Sequence, residues 1–306
     1  MSESDPIALK ATAEQAGSRV EKLVMDATGC TRSEARALCS RGDVRLNGRR
    51  AKKGDRIESG DELVIRLPES WVAAEPEREL DVRLEREDLV VVGKPAGVPS
   101  VPLQPGERGT IANALVARYP EMREFGYAAR EPGLVHRLDT QTSGLLLAAR
   151  SAVAFDALVR ALQNGALEKR YLALVGNSAA LAESGKIEGS LEPDRERHGR
   201  VIVARSDAKY HRFCVTDYRV VSRGKHFALL ELTASPAFRH QVRAHLASIG
   251  HPIAGDTLYG GEAHALLGSR HALHASYLAY GGDAAVPAFR VSDEAPAEFA
   301  ELLDRG

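Results

Sequence analysis

The sequence predicts an α+β protein built as a small N-terminal module followed by a larger domain of mixed helices and strands. Three observations carry that expectation. Residues 18–68 read as two helices and then a few short strands. From Leu89 onward, capped helices are interspersed with short apolar runs that suit buried strands. The chain has 306 residues and is 44% hydrophobic, enough for two cores.

Residues 1–17 are polar and rich in small residues, and are expected to be a flexible tail. They show no basic region followed by an apolar core, so no secretory leader is expected. No apolar run approaches the ~18 residues of a membrane helix. Cys30, Cys39 and Cys214 have no C-x-x-C spacing, which argues against a disulfide framework or a cysteine metal site. A soluble, cytoplasmic protein is expected, with monomer as the default state.

In the N-terminal module, Val20, Leu23 and Val24 have helical spacing that ends near Gly29. Thr31, with Glu34 three residues on and Gly42 past the end, brackets a second helix. VRLNGRR alternates around Asn47-Gly48, a hairpin turn signal, and ELVIRL is a last strand. Net charge is −1 overall, so any nucleic-acid surface must be local. Between Cys30 and Arg56, nine Lys/Arg oppose three acids, a balance of +6. Arg32 and Arg36 share a helix face, and Arg41, Lys52 and Lys53 extend the basic surface. A solvated, salt-bridged face and a phosphate-contacting surface both fit this pattern. Residues 69–86 are strongly acidic, contain Pro76, and read as a linker; residues 87–306 form the second domain.

That domain opens with Leu89–Val92, a buried strand ended by Lys94-Pro95. TIANALVARYP reads as a helix stopped by Pro120. Ser151 caps a helix to about Asn164, with Val153, Leu158 and Leu162 facing inward. LEKRYLALV is a strand carrying Tyr171, and FALLELT is another. A second basic stretch, residues 195–225, again balances nine Lys/Arg against three acids, with Tyr210, Phe213 and Tyr218 interleaved. SPAFRHQVRAHLASIGHPIAGD reads as a helix with Arg239 and Arg243 on one face. The stretch GLVHRLDTQTSGLLL places Asp139 among His136, Arg137, Thr142 and Ser143, just before a buried run. Alone, it fits a solvated Arg-Asp loop as well as a catalytic one. No G-x-S-x-G elbow, P-loop or dinucleotide fingerprint is present. His271 and His274 lack a carboxylate partner, so no metal site is expected.

Residues 18–68 resemble the S4-like RNA-binding module, through the R-S-x-A-x-x-L helix, the G-x-V-x-x-N-G turn and the late G-D-x-L-x-I strand. Val20-Glu21 stands where that module often has Leu-Asp. The segments VVVGKPAGVPSVP, GLVHRLDTQTSGLLLAAR, KRYLALV and RHQVRAHLASIGHPIAGDTLYGG, followed by ALHASYL, resemble in order the pseudouridine synthases of the RluA/RluD type. Together the resemblance spans residues 18–282. It implies the pseudouridine synthase fold: a mixed, mainly antiparallel sheet bent around a central cleft, behind a small α/β RNA-binding module. It implies an RNA uridine isomerase with Asp139 as catalytic aspartate, Tyr171 as active-site tyrosine and Arg243 as the arginine that pairs with Asp139. It places His136, Arg137 and Arg239 at the RNA, with Arg137 filling the space left by a flipped base. Ribosomal large-subunit RNA is the first expected substrate and transfer RNA the second. The reaction moves the ribose from nitrogen 1 to carbon 5 of uracil, so it needs a carboxylate but no redox cofactor or metal.

Two departures stand out. Phe238 occupies a position where the family has arginine, with Arg239 one place late, and Thr140-Gln141 replaces residues that are often charged. The Phe238 exchange is the one feature that favours an alternative, a non-catalytic RNA-binding or ribosome-assembly factor on a synthase-like domain.

Overall fold

The structure, a computed structural model, describes residues 6–52, 54–67, 71–177, 180–204, 212–234 and 237–305. Lys53, and the part of the second basic stretch that includes Tyr210, lie outside the described residues. The chain divides into two compact units: residues 1–79 with 101–132, and residues 80–100 with 133–306.

The first unit begins with strand β1 (Ile7–Lys10), inside the segment expected to be a flexible tail. Its alternating burial lets it pair antiparallel with β4. Helices α1 (Val20–Thr28) and α2 (Arg32–Arg41) follow. Thr31 and Glu34 form the expected reciprocal cap, and Gly42 closes α2 in the left-handed conformation. Strands β2 (Val44–Leu46) and β3 (Arg49–Arg50) form a hairpin whose turn residues, Asn47 and Gly48, both have positive φ. With β4 (Glu62–Ile65) they make a four-stranded sheet of order β1-β4-β2-β3. Helix α3 (Ile111–Arg118) belongs to the same unit, capped by Thr110. Its Asn113 side chain donates to the Ala73 carbonyl at 2.7 Å. Trp71 and Val72 are buried in this unit, so the acidic segment is not a free linker.

The second unit is one ten-stranded sheet with helices packed against it. Its first strand, β5 (Asp81–Glu85), also comes from the expected linker. The remaining strands are β6 (Leu89–Lys94), β7 (Ser143–Ala149), β8 (Leu167–Gly176), β9 (Ser184–Pro193), β10 (Val201–Val203), β11 (Arg212–Arg223), β12 (Phe227–Ala234), β13 (Leu273–Tyr280) and β14 (Phe289–Ser292). The order is β10-β9-β11-β12-β8-β13-β7-β6-β5, with β14 paired to β13. Every pairing is antiparallel except β13 with β7. The sheet is thus mixed and mainly antiparallel, as the resemblance implies.

The parallel junction matters for the site. Ala275 pairs with Gly144 on one side and with Tyr171 on the other. Gly144 has φ +107, and a Cβ there would lie 2.2 Å from the Ala275 carbonyl oxygen. Only glycine permits this close approach. It aligns the start of β7, just after Asp139, with Tyr171 two strands away.

Helix α4 (Ala152–Gln163) packs on β7 and β8, α5 (Gln241–Ser248) over β9 to β12, and α6 (Ala297–Arg305) on β12. Two expectations fail here. Val153 is 67% exposed, because α4 turns Ala154, Phe155 and Leu158 to the sheet instead. Arg239 lies before α5 rather than on it, because His240 takes a left-handed conformation and starts the helix at Gln241.

Candidate active site

Asp139 sits in a turn between two segments that bond to the sheet. Val135 N–H donates to Leu147 at 3.1 Å, and Thr142 N–H closes the turn on the Asp139 carbonyl at 3.0 Å. From below, Lys94 pins the same turn. The residue is only 1% exposed, and its ammonium donates to the carbonyls of Pro95, Val98 and Thr140 at 3.0, 2.6 and 3.0 Å. Burial pushes Lys94 down to about 7, opposed by the Asp139 charge and assisted by Arg270. Three carbonyl acceptors require the ammonium, since a neutral amine has only two N–H groups. Lys94 looked like nothing more than a strand-turn boundary in the sequence.

Arg243, from α5, reaches Asp139 across 104 positions of chain: Nη1 donates to Oδ2 at 2.8 Å. Its other face is held by Asp256, with Nε to Oδ2 at 2.6 Å and Nη2 to Oδ1 at 2.9 Å. Arg243 is 7% exposed and Asp256 2%, so this is a buried bidentate pair with one arm extended to Asp139. The guanidinium also lies 5.0 Å from the centre of the Tyr259 ring. The turn from Asp256 to Gly261, closed by Tyr259 and Gly261 amides on the Asp256 carbonyl, brings both residues to the site.

The electrostatics favour an ionised Asp139. Burial alone would push its carboxyl up, but His240, in the acid range where its ring is protonated, and the Arg243 charge and hydrogen bond outweigh that and hold it below the ordinary value. Burial, with Arg243 and Arg239, brings His240 itself down to about 4. At neutral pH that imidazole is therefore uncharged, and Arg243 supplies the attraction. Tyr171 is buried, and desolvation and the Asp139 charge both push its hydroxyl upward, so it stays protonated. Behind the turn, Thr142 Oγ1 and His271 Nε2 are 2.8 Å apart, and Ser143 Oγ and His274 Nδ1 are 2.9 Å apart.

The structure therefore brings Asp139 and Arg243 into contact, and Tyr171 is buried on β8, where the Asp139 charge reaches it. The expected RNA contacts divide. Arg137 is exposed beside the turn. His136 faces inward: its Nε2 accepts from Leu147 N–H at 3.2 Å, and burial pushes it down to about 3. Arg239 donates to the Gly199 carbonyl and so ties down the turn between β9 and β10. Phe238 packs against Leu191, Cys214, Ala244 and Tyr259. In the first unit Arg32, Arg36 and Lys52 are exposed, while Arg41 pairs with Asp43 at 3.0 Å. Asp256, Tyr259 and Lys94 were missed as site residues. The first two stand in the string GDTLYG, but nothing local says that it folds back onto Asp139.

Residues 88–248 match the family described as RNA pseudouridylate synthase, and residues 19–63 match the S4 domain. A Bacillus subtilis (strain 168) protein named Uncharacterized RNA pseudouridine synthase YlyB is 31% identical over 302 residues, covering 97% of this chain and 97% of that protein. Ribosomal large subunit pseudouridine synthase D of Xylella fastidiosa is 31% identical over 287 residues, 89% of this chain and 84% of that one. Among solved structures, Human RNA Pseudouridylate Synthase Domain Containing 1 superposes with a TM-score of 0.56 at 25% identity, covering 74% of this chain and 87% of that one.

Proposed function

The chain belongs to the RNA pseudouridylate synthase family, with an S4 domain ahead of the catalytic one, and from that premise we propose that it isomerises uridines of large-subunit ribosomal RNA with Asp139 as nucleophile. The observation that carries the mechanism is the 2.8 Å bond from Arg243 to Asp139. It keeps the carboxylate ionised and oriented, the two properties a nucleophile needs.

The reaction breaks the bond from uracil N1 to the ribose C1′, turns the base, and joins C5 to C1′. The proton on C5 is lost and N1 gains one, so composition is unchanged. The target uridine must leave its stack to reach a partly buried carboxylate, at a cost of a few kcal/mol. Arg137, exposed next to the turn, fills the space the base leaves. Tyr171 offers a flat face to the detached uracil, and its protonated hydroxyl is available for the final proton movement.

Arg32, Arg36 and Lys52 contact backbone phosphates and supply salt-sensitive affinity. The choice of ribosomal RNA is supported by the relatives named ribosomal large subunit pseudouridine synthase D. The alternative of a non-catalytic RNA-binding factor draws on Phe238, and the packing of that side chain against the cluster of Leu191, Cys214, Ala244 and Tyr259 gives an apolar residue there a structural role.

Mapping pseudouridine across ribosomal and transfer RNA from cells lacking the gene tests the substrate. Loss of one or a few pseudouridines in large-subunit RNA, restored by the wild-type gene and not by Asp139→Asn, is the expected result. An unchanged map in ribosomal RNA with a loss in transfer RNA would reassign the substrate.

A further inference from the structure

His240 is placed against Asp139 by an arrangement that the pairing of Asp139 with Arg243 does not require. Its backbone is left-handed, φ 57 and ψ 12, an uncommon conformation for a residue with a side chain. That geometry turns the imidazole between two partners. Nδ1 lies 3.0 Å from the Tyr259 hydroxyl, and Nε2 lies 3.6 Å from Asp139 Oδ2.

The Tyr259 hydroxyl decides which imidazole nitrogen carries the proton. It accepts the Val201 N–H at 3.0 Å. Tyr259 is buried, and among the described residues its only acceptor is His240 Nδ1. A buried phenol O–H must find an acceptor, so it donates to Nδ1. The imidazole proton then sits on Nε2 and faces Asp139. The opposite tautomer would strand the phenol proton and aim a nitrogen lone pair at a carboxylate oxygen. Burial, against the attraction of Asp139 and with the repulsion of Arg243 and Arg239, keeps His240 uncharged at neutral pH.

We propose that Tyr259 and His240 are a positioning pair for Asp139: the phenol fixes the Nε2–H tautomer, and that N–H joins Arg243 in holding Oδ2, leaving Oδ1 as the oxygen that meets the substrate. Both contacts to the carboxylate fall on Oδ2, and among the described residues no hydrogen bond or ion pair engages Oδ1. At 3.6 Å the Nε2 contact is longer than a hydrogen bond. Contacts of this kind in a free enzyme shorten when substrate fills the site. A neutral donor orients the carboxylate while lowering its nucleophilicity less than a second cation would. Hydrogen bonds also link the His240 ring through the Tyr259 hydroxyl to Val201 N–H at the start of β10. The inference rests on the functional reading of Asp139 given above.

The test uses the full-length protein labelled with ¹⁵N-histidine. The His240 ring signals are identified by their loss in His240→Gln, and single-turnover pseudouridine formation is measured alongside RNA affinity. The expected wild-type spectrum shows an unprotonated Nδ1 and a protonated Nε2. Tyr259→Phe keeps the ring but should lose the fixed tautomer. Its single-turnover rate should fall about 10- to 100-fold, the worth of a hydrogen bond to a charged group, with RNA affinity within about twofold. His240→Gln, which can still offer an N–H, should retain far more activity than His240→Leu; both carry the same backbone cost, so a purely structural role would affect them alike. A protonated Nδ1 in the wild type, or Tyr259→Phe at the wild-type rate, overturns the proposal. If the wild type forms no pseudouridine, the functional reading fails separately, and the spectrum still decides between the two tautomers.

Discussion

Asp256 takes two hydrogen bonds from Arg243, at 2.6 and 2.9 Å, and thereby fixes the direction in which the third nitrogen of the guanidinium points. That third nitrogen is the one on Asp139. Asp256→Asn removes a buried charge while leaving that of Arg243 in place. Breaking a buried pair from one side costs about 3–5 kcal/mol, and the extended contact to Asp139 loosens with it. The expected outcome is a lower urea midpoint together with a fall in single-turnover rate of about 10-fold or more, the cost of losing aim rather than chemistry. A variant that is destabilised but fully active would show that Arg243 needs no second anchor.

Five imidazoles sit below their ordinary value because of burial: His136 at about 3, His240, His245 and His271 at about 4, and His274, which is also lowered. Unfolded, each would titrate near 6.5. Between those values the unfolded chain binds more protons than the folded one, so stability is full above pH ~6.5 and is lost as pH falls toward 4. Each proton taken up on unfolding contributes about 1.4 kcal/mol per pH unit. Urea titrations at pH 7, 6 and 5 should show a midpoint that drops steeply, with an uptake of about two or more protons at pH 5. A flat midpoint over that range would mean that these histidines are solvated or charged in the folded protein.

Arg32 and Arg36 lie exposed on one face of α2. If they meet RNA phosphates, each removed contact lowers the slope of log affinity against log salt by about 0.7–0.9. Arg32→Ala with Arg36→Ala should reduce that slope by up to about two, weaken binding at low salt, and leave the single-turnover rate at saturating enzyme unchanged. An unaltered slope would place the RNA on another face of the module.

What was legible in the sequence was local chemistry. The Thr31 cap with Glu34, the Ser151 cap and the Asn47-Gly48 turn each depend on residues a few positions apart, and all form where expected. Asp139, Tyr171 and Arg243 were named through a resemblance, and the structure brings the first and third into contact. What escaped was non-local. Ile7–Lys10 becomes a strand only because Glu62–Ile65 offers an edge. Asp81–Glu85 looked like linker because its exposed positions carry the charges, and it is a strand because β6 lies beside it. Lys94 and Asp256 have no signature of their own; their roles arise when Thr140 and Arg243 fold onto them. Arg239 falls two residues before the first residue of α5, since no periodicity signals the left-handed His240.

Tritium release from RNA labelled at carbon 5 of uridine measures the chemistry at Asp139 most directly. Wild-type protein should release tritium in step with pseudouridine formation. Asp139→Asn should release none above background while keeping the wild-type circular dichroism and binding the RNA with undiminished affinity. Release by Asp139→Asn at a rate near that of the wild type would contradict the assignment of this carboxylate to the reaction.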